Sequence, residues 1–150
     1  MKKLAFLFFG HMRSYDFTHQ SFNFLKNSLK NKYECDVFIH TWNFLEPQTP
    51  TWHEGYLKVD NRPIDVEKIK SIYTPVNMLV EEQDIQNPDK TIFHNQCEEG
   101  VLYYQYSRYK VNELKKEHEK NNGFEYDAVV MSRPDIIYYN GLFSNELEKT

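Results

Sequence analysis

The sequence predicts a three-layer α/β fold, in which helices cover both faces of a mostly parallel sheet of four to five strands. Segments typical of strands alternate along the chain with segments typical of helices. The strand-like segments are continuously apolar, as in strands that are buried on both faces of a parallel sheet. The chain has 150 residues, which is close to the usual size of one domain, so residues 1–150 are expected to share a single core.

The first strand and its crossover helix are predicted near the amino terminus. An apolar run over residues 4–9 predicts the strand, which ends at Gly10. Asp16 or Thr18 is expected to cap a helix that continues to about residue 30. The apolar residues of this helix recur at spacings of three and four and form one inward stripe: Phe22, Leu25 and Leu29.

The middle of the chain predicts two further strands with a short helix between them. Residues 36–42 form an apolar run, and residues 43–63 carry three prolines without clean periodicity, which predicts a long loop. Asp65 is expected to cap a helix that Pro75 ends before a strand at 76–80. The inward residues of this helix are expected to be Val66, Ile69 and Ile72.

The longest helix is predicted at residues 98–120. Gly123 follows it, and glycine is favoured just past a helix end. A strand is predicted at 126–132, and residues 136–139 are a candidate for a short fifth strand. One face of the long helix is expected to carry Val101, Tyr104, Val111, Leu114 and His118.

The composition argues against two classes of partner. The formal net charge is −4 and the isoelectric point is near 5.9, so no overall positive field draws in nucleic acid. The amino-terminal apolar run lacks the cleavage site of a secretory signal, and no other run approaches the roughly 20 apolar residues of a membrane span. We therefore expect no nucleic-acid binding and no membrane span, while peripheral membrane docking stays open.

Several common chemistries lack their sequence signatures. Cys35 and Cys97 are far apart, and no Asn-x-Ser/Thr acceptor occurs, which suits a reducing cytoplasm. The histidines show no metal-ligand spacing, so a zinc site is not expected. The Gly-x-Ser-x-Gly elbow, the P-loop and the Gly-x-Gly-x-x-Gly fingerprint are all missing from the sequence.

Polar residues that follow the predicted strands are the best candidates for a site, because ligands bind outside the carboxyl ends of parallel strands. Gly10, His11 and Arg13 follow the first strand. A glycine lets the backbone approach a ligand, and an arginine can grip a phosphate with two parallel hydrogen bonds. The alternative is an ordinary turn with a solvated arginine.

Two further groups of candidates lie after the second strand and on the long helix. Thr41 and Trp42 are placed to touch a base or sugar, although such a tryptophan more often closes the core below a long loop. Gln105 and Arg108 lie one turn apart and are candidates to face the same cleft. A solvated helical face is the alternative for this pair.

Arg133 and Asp135 follow the fourth strand, with Pro134 between them restricting the backbone. A carboxylate at a strand end can bind a divalent cation such as Mg²⁺ or Mn²⁺ that bridges two phosphates. Asp135 is the candidate metal ligand. The alternative is an internal ion pair between Arg133 and Asp135 that shapes the turn.

Four segments together resemble a known group of proteins. They are Phe9-Gly10-His11-Met12-Arg13, the strand from Asp36 to Trp42, Gln105-x-x-Arg108, and the stretch from Tyr126 to Asp135. In these motifs the chain resembles the amino-terminal half of bacterial nucleotide-diphospho-sugar transferase-like proteins encoded with capsule and lipopolysaccharide genes. The motifs are short, and the resemblance covers nearly the whole chain. The resemblance implies a Rossmann-like fold of the GT-A type, a nucleotide-sugar donor, a glycan acceptor and a surface polysaccharide as product.

The resemblance also implies roles for individual residues. Gly10 and Arg13 correspond to the donor-nucleotide loop, and Asp135 stands where that fold places its metal-binding Asp-x-Asp. Arg133 occupies the first position of that triplet, which leaves dependence on Mn²⁺ or Mg²⁺ open, because a guanidinium can itself neutralise a leaving pyrophosphate.

The length of the chain departs from the same family. Transferases of this fold carry an acceptor-binding half after the metal motif, whereas 15 residues follow Asp135 here. The chain is then a fragment of a glycosyltransferase or a truncated product that binds without turnover. The hypothesis from another class is a non-catalytic α/β domain in which aromatic surface and the loop 43–63 recognise a partner protein.

Overall fold

The computed structural model describes residues 1–46, 60, 62–83 and 96–139, and the α/β prediction is confirmed in these ranges. Strands and helices alternate strictly along the chain. The strands are β1 (Lys2–Phe9), β2 (Tyr33–Trp42), β3 (Asn77–Glu81) and β4 (Ala128–Ser132). The helices are α1 (Tyr15–Leu29), α2 (Val66–Tyr73) and α3 (Gln96–Asn122).

The four described strands form one sheet in the order β3-β2-β1-β4, and every neighbouring pair is parallel. In this register Phe9 lies opposite His40, and Phe8 lies opposite Ser132. The carboxyl ends of β1, β2 and β4 therefore meet at one edge of the sheet. Residues that are distant in sequence become neighbours there.

Both faces of the sheet are covered, which gives three layers. On one face, Leu4, Phe6 and Phe8 of β1 pack in a cluster with side chains of α1 and α2. On the other face, Ala5, Leu7 and Phe9 pack with Val111 of α3. Burial of both alternating sets explains why the β1 sequence is apolar at every position from residue 4 to residue 9.

The prediction of a fifth strand at residues 136–139 is wrong. The backbone N–H of Tyr138 donates to Ser21 Oγ on α1 at 3.0 Å instead of to a neighbouring strand. The Tyr138 ring lies 6.2 Å from the Phe22 ring, between centroids. The segment therefore follows α1, and its apolar residues pack on that helix or remain exposed.

The expected helix caps are wrong for α1 and confirmed for α2. Ser14, not Asp16 or Thr18, precedes α1, and its side chain makes no capping hydrogen bond. Thr18 lies inside the helix, where its hydroxyl donates to the Pro134 carbonyl at 2.6 Å. For α2 the prediction is confirmed, because Asp65 Oδ1 accepts from the Lys68 backbone N–H at 2.9 Å.

The inward face of α3 agrees with the expected one at Val111, Leu114 and His118, which pack on the sheet, and differs from it in the earlier turns. Val101 and Tyr104 are 45% and 40% exposed, whereas Ser107 and Val111 are fully buried. Gly100 is buried as well, and a helix packs closely where its side chains are small. Gly123 ends the helix at φ +68°, as expected.

No helix in the described ranges is both long and apolar enough to cross a membrane.

The two capping positions provide a matched test. We expect Asp65→Ala to lower the free energy of unfolding by about 1 kcal/mol, because it leaves a backbone N–H of α2 without its acceptor. Ser14→Ala should change it by no more than a few tenths of a kcal/mol, since that side chain caps nothing. Urea unfolding of both variants checks this, and equal losses would contradict the assignment of the caps.

Candidate functional site

A cleft opens at the carboxyl edge of the sheet, where the sequence analysis places the site. It encloses about 490 Å³, part of it open to solvent. The ends of β1 and β2 form its floor, and residues 100–104 of α3 form one wall. Its lining side chains include His11, Arg13, Trp42, Gln83, Tyr104 and Arg133.

Arg13, Arg133 and Asp135 converge beside this cleft because β1 and β4 are neighbours. Arg133 binds both Asp135 oxygens, with Nε to Oδ1 at 2.9 Å and Nη2 to Oδ2 at 2.5 Å. Arg13 Nη1 lies 3.8 Å from Asp135 Oδ2. The ion pair that was the alternative interpretation is therefore present. Two guanidinium groups share one carboxylate, which leaves one positive charge in excess.

His11 lies in the cleft as a neutral ring. Its Nε2 lies 3.0 Å from Gln83 Oε1, which fits donation from Nε2 to that oxygen. Burial, and after it the charge of Arg13, lowers the pKa of His11 from 6.5 to about 4. Its Nδ1 is then a hydrogen-bond acceptor at neutral pH. Gln83 was missed in the sequence, although its position just after β3 follows the same strand-end rule.

Gly10 forms the turn after β1, where the backbone conformation favours a glycine. Its φ of +91° is a conformation that side chains other than glycine rarely adopt. A Cβ built at this position meets no atom within 4 Å, so the glycine is required by the backbone conformation and not by lack of space. The Gly10 N–H donates to Ser107 Oγ at 2.8 Å, so this amide is already engaged within the protein.

Behind the turn lies a buried polar chain that sequence reasoning missed. His40 Nδ1 is 2.7 Å from Ser107 Oγ, and His40 Nε2 is 2.8 Å from Glu81 Oε2. Burial lowers the pKa of His40, so the neutral ring keeps its proton on Nε2, facing the carboxylate. A serine, a histidine and a carboxylate in this order resemble a nucleophile relay. However, Ser107 has no exposed surface and its oxygen already accepts from Gly10, so the group is structural.

The two candidates at the end of β2 are placed differently from each other. Thr41 is fully buried and lines neither of the clefts described here. Trp42 lines the main cleft but is only 2% exposed, and its ring stacks on Tyr106 with centroids 5.8 Å apart. Trp42 thus belongs to the core at the end of β2, which agrees with the alternative interpretation for this residue.

A second cleft of about 400 Å³ lies on the β4 side of the first. Both clefts are lined by Phe9, Tyr104 and Arg133, which we call the shared wall. Arg108 lines the second cleft, with its guanidinium carbon 5.6 Å from the centre of the Tyr104 ring. Gln105 accepts a hydrogen bond from Arg108 at 3.3 Å but lines neither cleft, so α3 presents only one of this pair.

The described residues around Asp135 do not fit a divalent cation in this arrangement. Both carboxylate oxygens accept from Arg133, and a second guanidinium lies nearby. Within the part of the chain that the structure describes, no three His, Cys, Asp or Glu side chains group as metal ligands. Cations ordinarily bind carboxylates that keep free lone pairs.

Comparison with known proteins gives no information on the ligand of this cleft, so the ligand has to be inferred from the side chains that line it. No protein-family model, no curated protein and no solved structure matches this chain. The cleft offers two guanidinium donors, one neutral imidazole acceptor and the exposed ring of Tyr104. This combination suits an anionic group that carries a ring.

The low pKa of His11 predicts a dependence of stability on pH. As the pH falls from 6.5 towards 4, the unfolded chain binds a proton at His11 that the folded chain does not, so the free energy of unfolding falls. We expect His11→Gln to flatten this decline, because each unit of pKa difference corresponds to about 1.4 kcal/mol. Urea unfolding at pH 8, 6 and 4.5 measures it, and identical slopes for both proteins would contradict the buried, neutral ring.

Proposed function

We propose that the cleft is the donor site of a glycosyltransferase-type domain and that it binds a nucleotide-diphospho-sugar used in the synthesis of a surface polysaccharide. The observation that carries the proposal is the convergence of Arg13 and Arg133 at the carboxyl edge of a parallel sheet. Anionic cofactors and substrates bind at this edge in open α/β sheets. The acceptor in this proposal is a glycan, and the location is the cytoplasm.

The diphosphate is the part of the ligand that the arginines recognise. A guanidinium can form two parallel hydrogen bonds to phosphate oxygens, and such charge-assisted bonds are stronger than neutral ones. Arg13 and Arg133 are 37% and 40% exposed at their side chains, so both can reach a ligand while remaining next to Asp135. The excess positive charge then compensates the charge that develops on the pyrophosphate.

The ring of the ligand has one good partner in the cleft. Tyr104 is 40% exposed and lies edge-on against Phe9, with ring centroids 5.0 Å apart, so its orientation is fixed while one surface remains free. Trp42 has too little exposed surface to stack on a base. We therefore assign contact with the base or sugar to Tyr104, in the cleft that His11 also lines.

The same proposal assigns to the arginines the charge-neutralising role that Mn²⁺ or Mg²⁺ performs in other sites. Asp135 then orients Arg133 and does not ligate a metal. Its 14% side-chain exposure and its two bonds to Arg133 support this assignment.

The binding proposal is tested with uridine, guanosine and cytidine diphosphates by thermal shift and calorimetry. We expect one of them to bind, and Arg13→Ala or Arg133→Ala to weaken it about tenfold or more, since each removes charged hydrogen bonds. Arg62→Ala is the matched control, because Arg62 is 77% exposed and pairs with Asp60 outside the cleft. No response to any diphosphate, or equal weakening by the control, would contradict the proposal.

The role of Asp135 gives a separate prediction. We expect the diphosphate to bind equally well in EDTA and in Mn²⁺, and Asp135→Asn to bind it at least as tightly as the native chain. The reason is that the carboxylate competes with phosphate for the two guanidinium groups. Titration calorimetry of both proteins in both buffers measures this. A Mn²⁺-dependent affinity that disappears in Asp135→Asn would show instead that Asp135 ligates the ion.

The second candidate function is a non-catalytic binding domain for a partner protein. Large apolar side chains on α1 and on the segment after β4 favour it: Phe17, Phe24 and Tyr139 are 68%, 57% and 74% exposed. Most of the loop 43–63 that was expected to take part lies outside the described residues. Failure of all three diphosphates to bind would favour this candidate.

A further inference from the structure

We propose that Ser107 and His40 are positioning residues that hold the ligand turn, defined as residues 10–13, in the geometry that binds the diphosphate. Neither residue lines the cleft, and both have no exposed surface. They act on the ligand only through the Gly10 backbone. The proposal rests on the proposed function, although its structural part can be measured in the free protein.

The hydrogen bonds behind the turn form a chain with one consistent direction. The Gly10 N–H donates to Ser107 Oγ at 2.8 Å, so the proton of the Ser107 hydroxyl must point elsewhere. The nearest acceptor is His40 Nδ1 at 2.7 Å. His40 Nε2–H in turn donates to Glu81 at 2.8 Å. The Glu81 carboxylate has no proton to give, so it fixes the tautomer of His40 and the direction of every bond before it.

This chain ties together four elements at the level where the strands end. Gly10 follows β1, His40 lies in β2, Glu81 ends β3 and Ser107 lies on α3. The other Glu81 oxygen accepts from the Tyr106 hydroxyl at 3.2 Å, which connects the chain to α3 a second time. A network that spans four elements fixes their relative positions more tightly than any one contact does.

The turn is where this fixation matters for binding. Gly10, at φ +91°, bends the backbone after β1, and the next three residues include His11 and Arg13, both of which line the cleft. The Arg13 guanidinium lies 3.8 Å from Asp135, a separation that a small rotation of the turn would change. Arg13 has to act together with Arg133, so its position decides whether one phosphate group can contact both.

Simple space filling does not explain why a serine occupies position 107 in this series of hydrogen bonds. Alanine would fill the buried position on α3 without a polar atom, yet a hydroxyl is present and both of its bonding functions are used. Removing it would leave the partly buried Gly10 N–H and the fully buried His40 Nδ1 without these hydrogen-bond partners, which is costly. The hydroxyl therefore orients the turn as well as packing below it.

The first experiment uses the free protein and measures amide hydrogen exchange by NMR in the native chain and in Ser107→Ala. We expect the Gly10 amide to be protected in the native chain and to exchange about tenfold faster or more in the variant, because its acceptor is gone. The Gly123 amide, bonded to the Glu119 carbonyl at 2.8 Å, is the internal control and should not change. A Gly10 amide that exchanges equally in both proteins would overturn the proposal.

The native chain alone gives a second measurement that does not depend on the variant folding. Nitrogen-15 shifts should show His40 protonated on Nε2 and bare on Nδ1 at neutral pH. A proton on His40 Nδ1 would reverse the direction of these hydrogen bonds and overturn the assignment.

The binding experiment compares uridine, guanosine and cytidine diphosphates on three variants. We expect Ser107→Ala to weaken the diphosphate that binds by about tenfold. Ser107→Thr, which keeps the hydroxyl, should restore most of the affinity. Ser28→Ala, which removes a hydroxyl bonded only within α1, should leave it unchanged.

The two proposals fail in different ways. If Ser107→Ala lowers thermal stability but leaves the affinity unchanged, Ser107 is only structural and the positioning role is overturned, while the proposed function stands. If no diphosphate binds the native chain, the proposed function fails and the link to ligand binding fails with it. Gly10 exchange then still decides whether Ser107 holds the turn.

Discussion

Parallel pairing of β1 with β2 on one side and with β4 on the other determines most of what lies at the carboxyl edge of the sheet. The register puts Phe9 opposite His40 and Phe8 opposite Ser132, so the turns after these strands start at nearly the same height. Arg13 and Arg133, 120 positions apart in the chain, meet for this reason alone. A shift of one residue in the pairing of β1 with β4 would separate them, and a shift in either pairing would turn the apolar faces of one strand the wrong way.

Two kinds of polar interaction occur at this edge, one between partly exposed charged groups and one between buried hydrogen-bonding groups. The exposed arginines and Asp135 form a group whose charges are only partly compensated, and such groups remain available to a ligand. The hydrogen bonds that link Gly10, Ser107, His40 and Glu81 lie behind the turn, and each donor in this series has an acceptor, so these groups are fixed within the protein. A partly exposed layer of charged side chains thus lies on a buried layer of hydrogen bonds.

The sequence predicts the fold and the grouping of three charged side chains at one edge of the sheet, because both follow from local patterns. Continuous apolar runs identify the strands, and the strand-end rule finds Arg13, Arg133 and Asp135 without knowledge of the structure. The link between Ser107 and His40 is not predictable in this way, because their contact depends on how α3 packs on the sheet. The same packing explains the error at Val101 and Tyr104, where small residues, not the apolar ones, face inward. Residues 136–139 have strand-like composition, but their partner is the side of α1.

The shared wall of Phe9, Tyr104 and Arg133 has a consequence for any two molecules that occupy the neighbouring clefts together. Each would touch one side of the same three side chains, so neither could bind without altering the surface offered to the other. Two anions would compete for the single guanidinium of Arg133, whereas an anion beside an uncharged molecule would not. By thermodynamic reciprocity, whatever factor the first occupant imposes on the affinity of the second, the second imposes on the first.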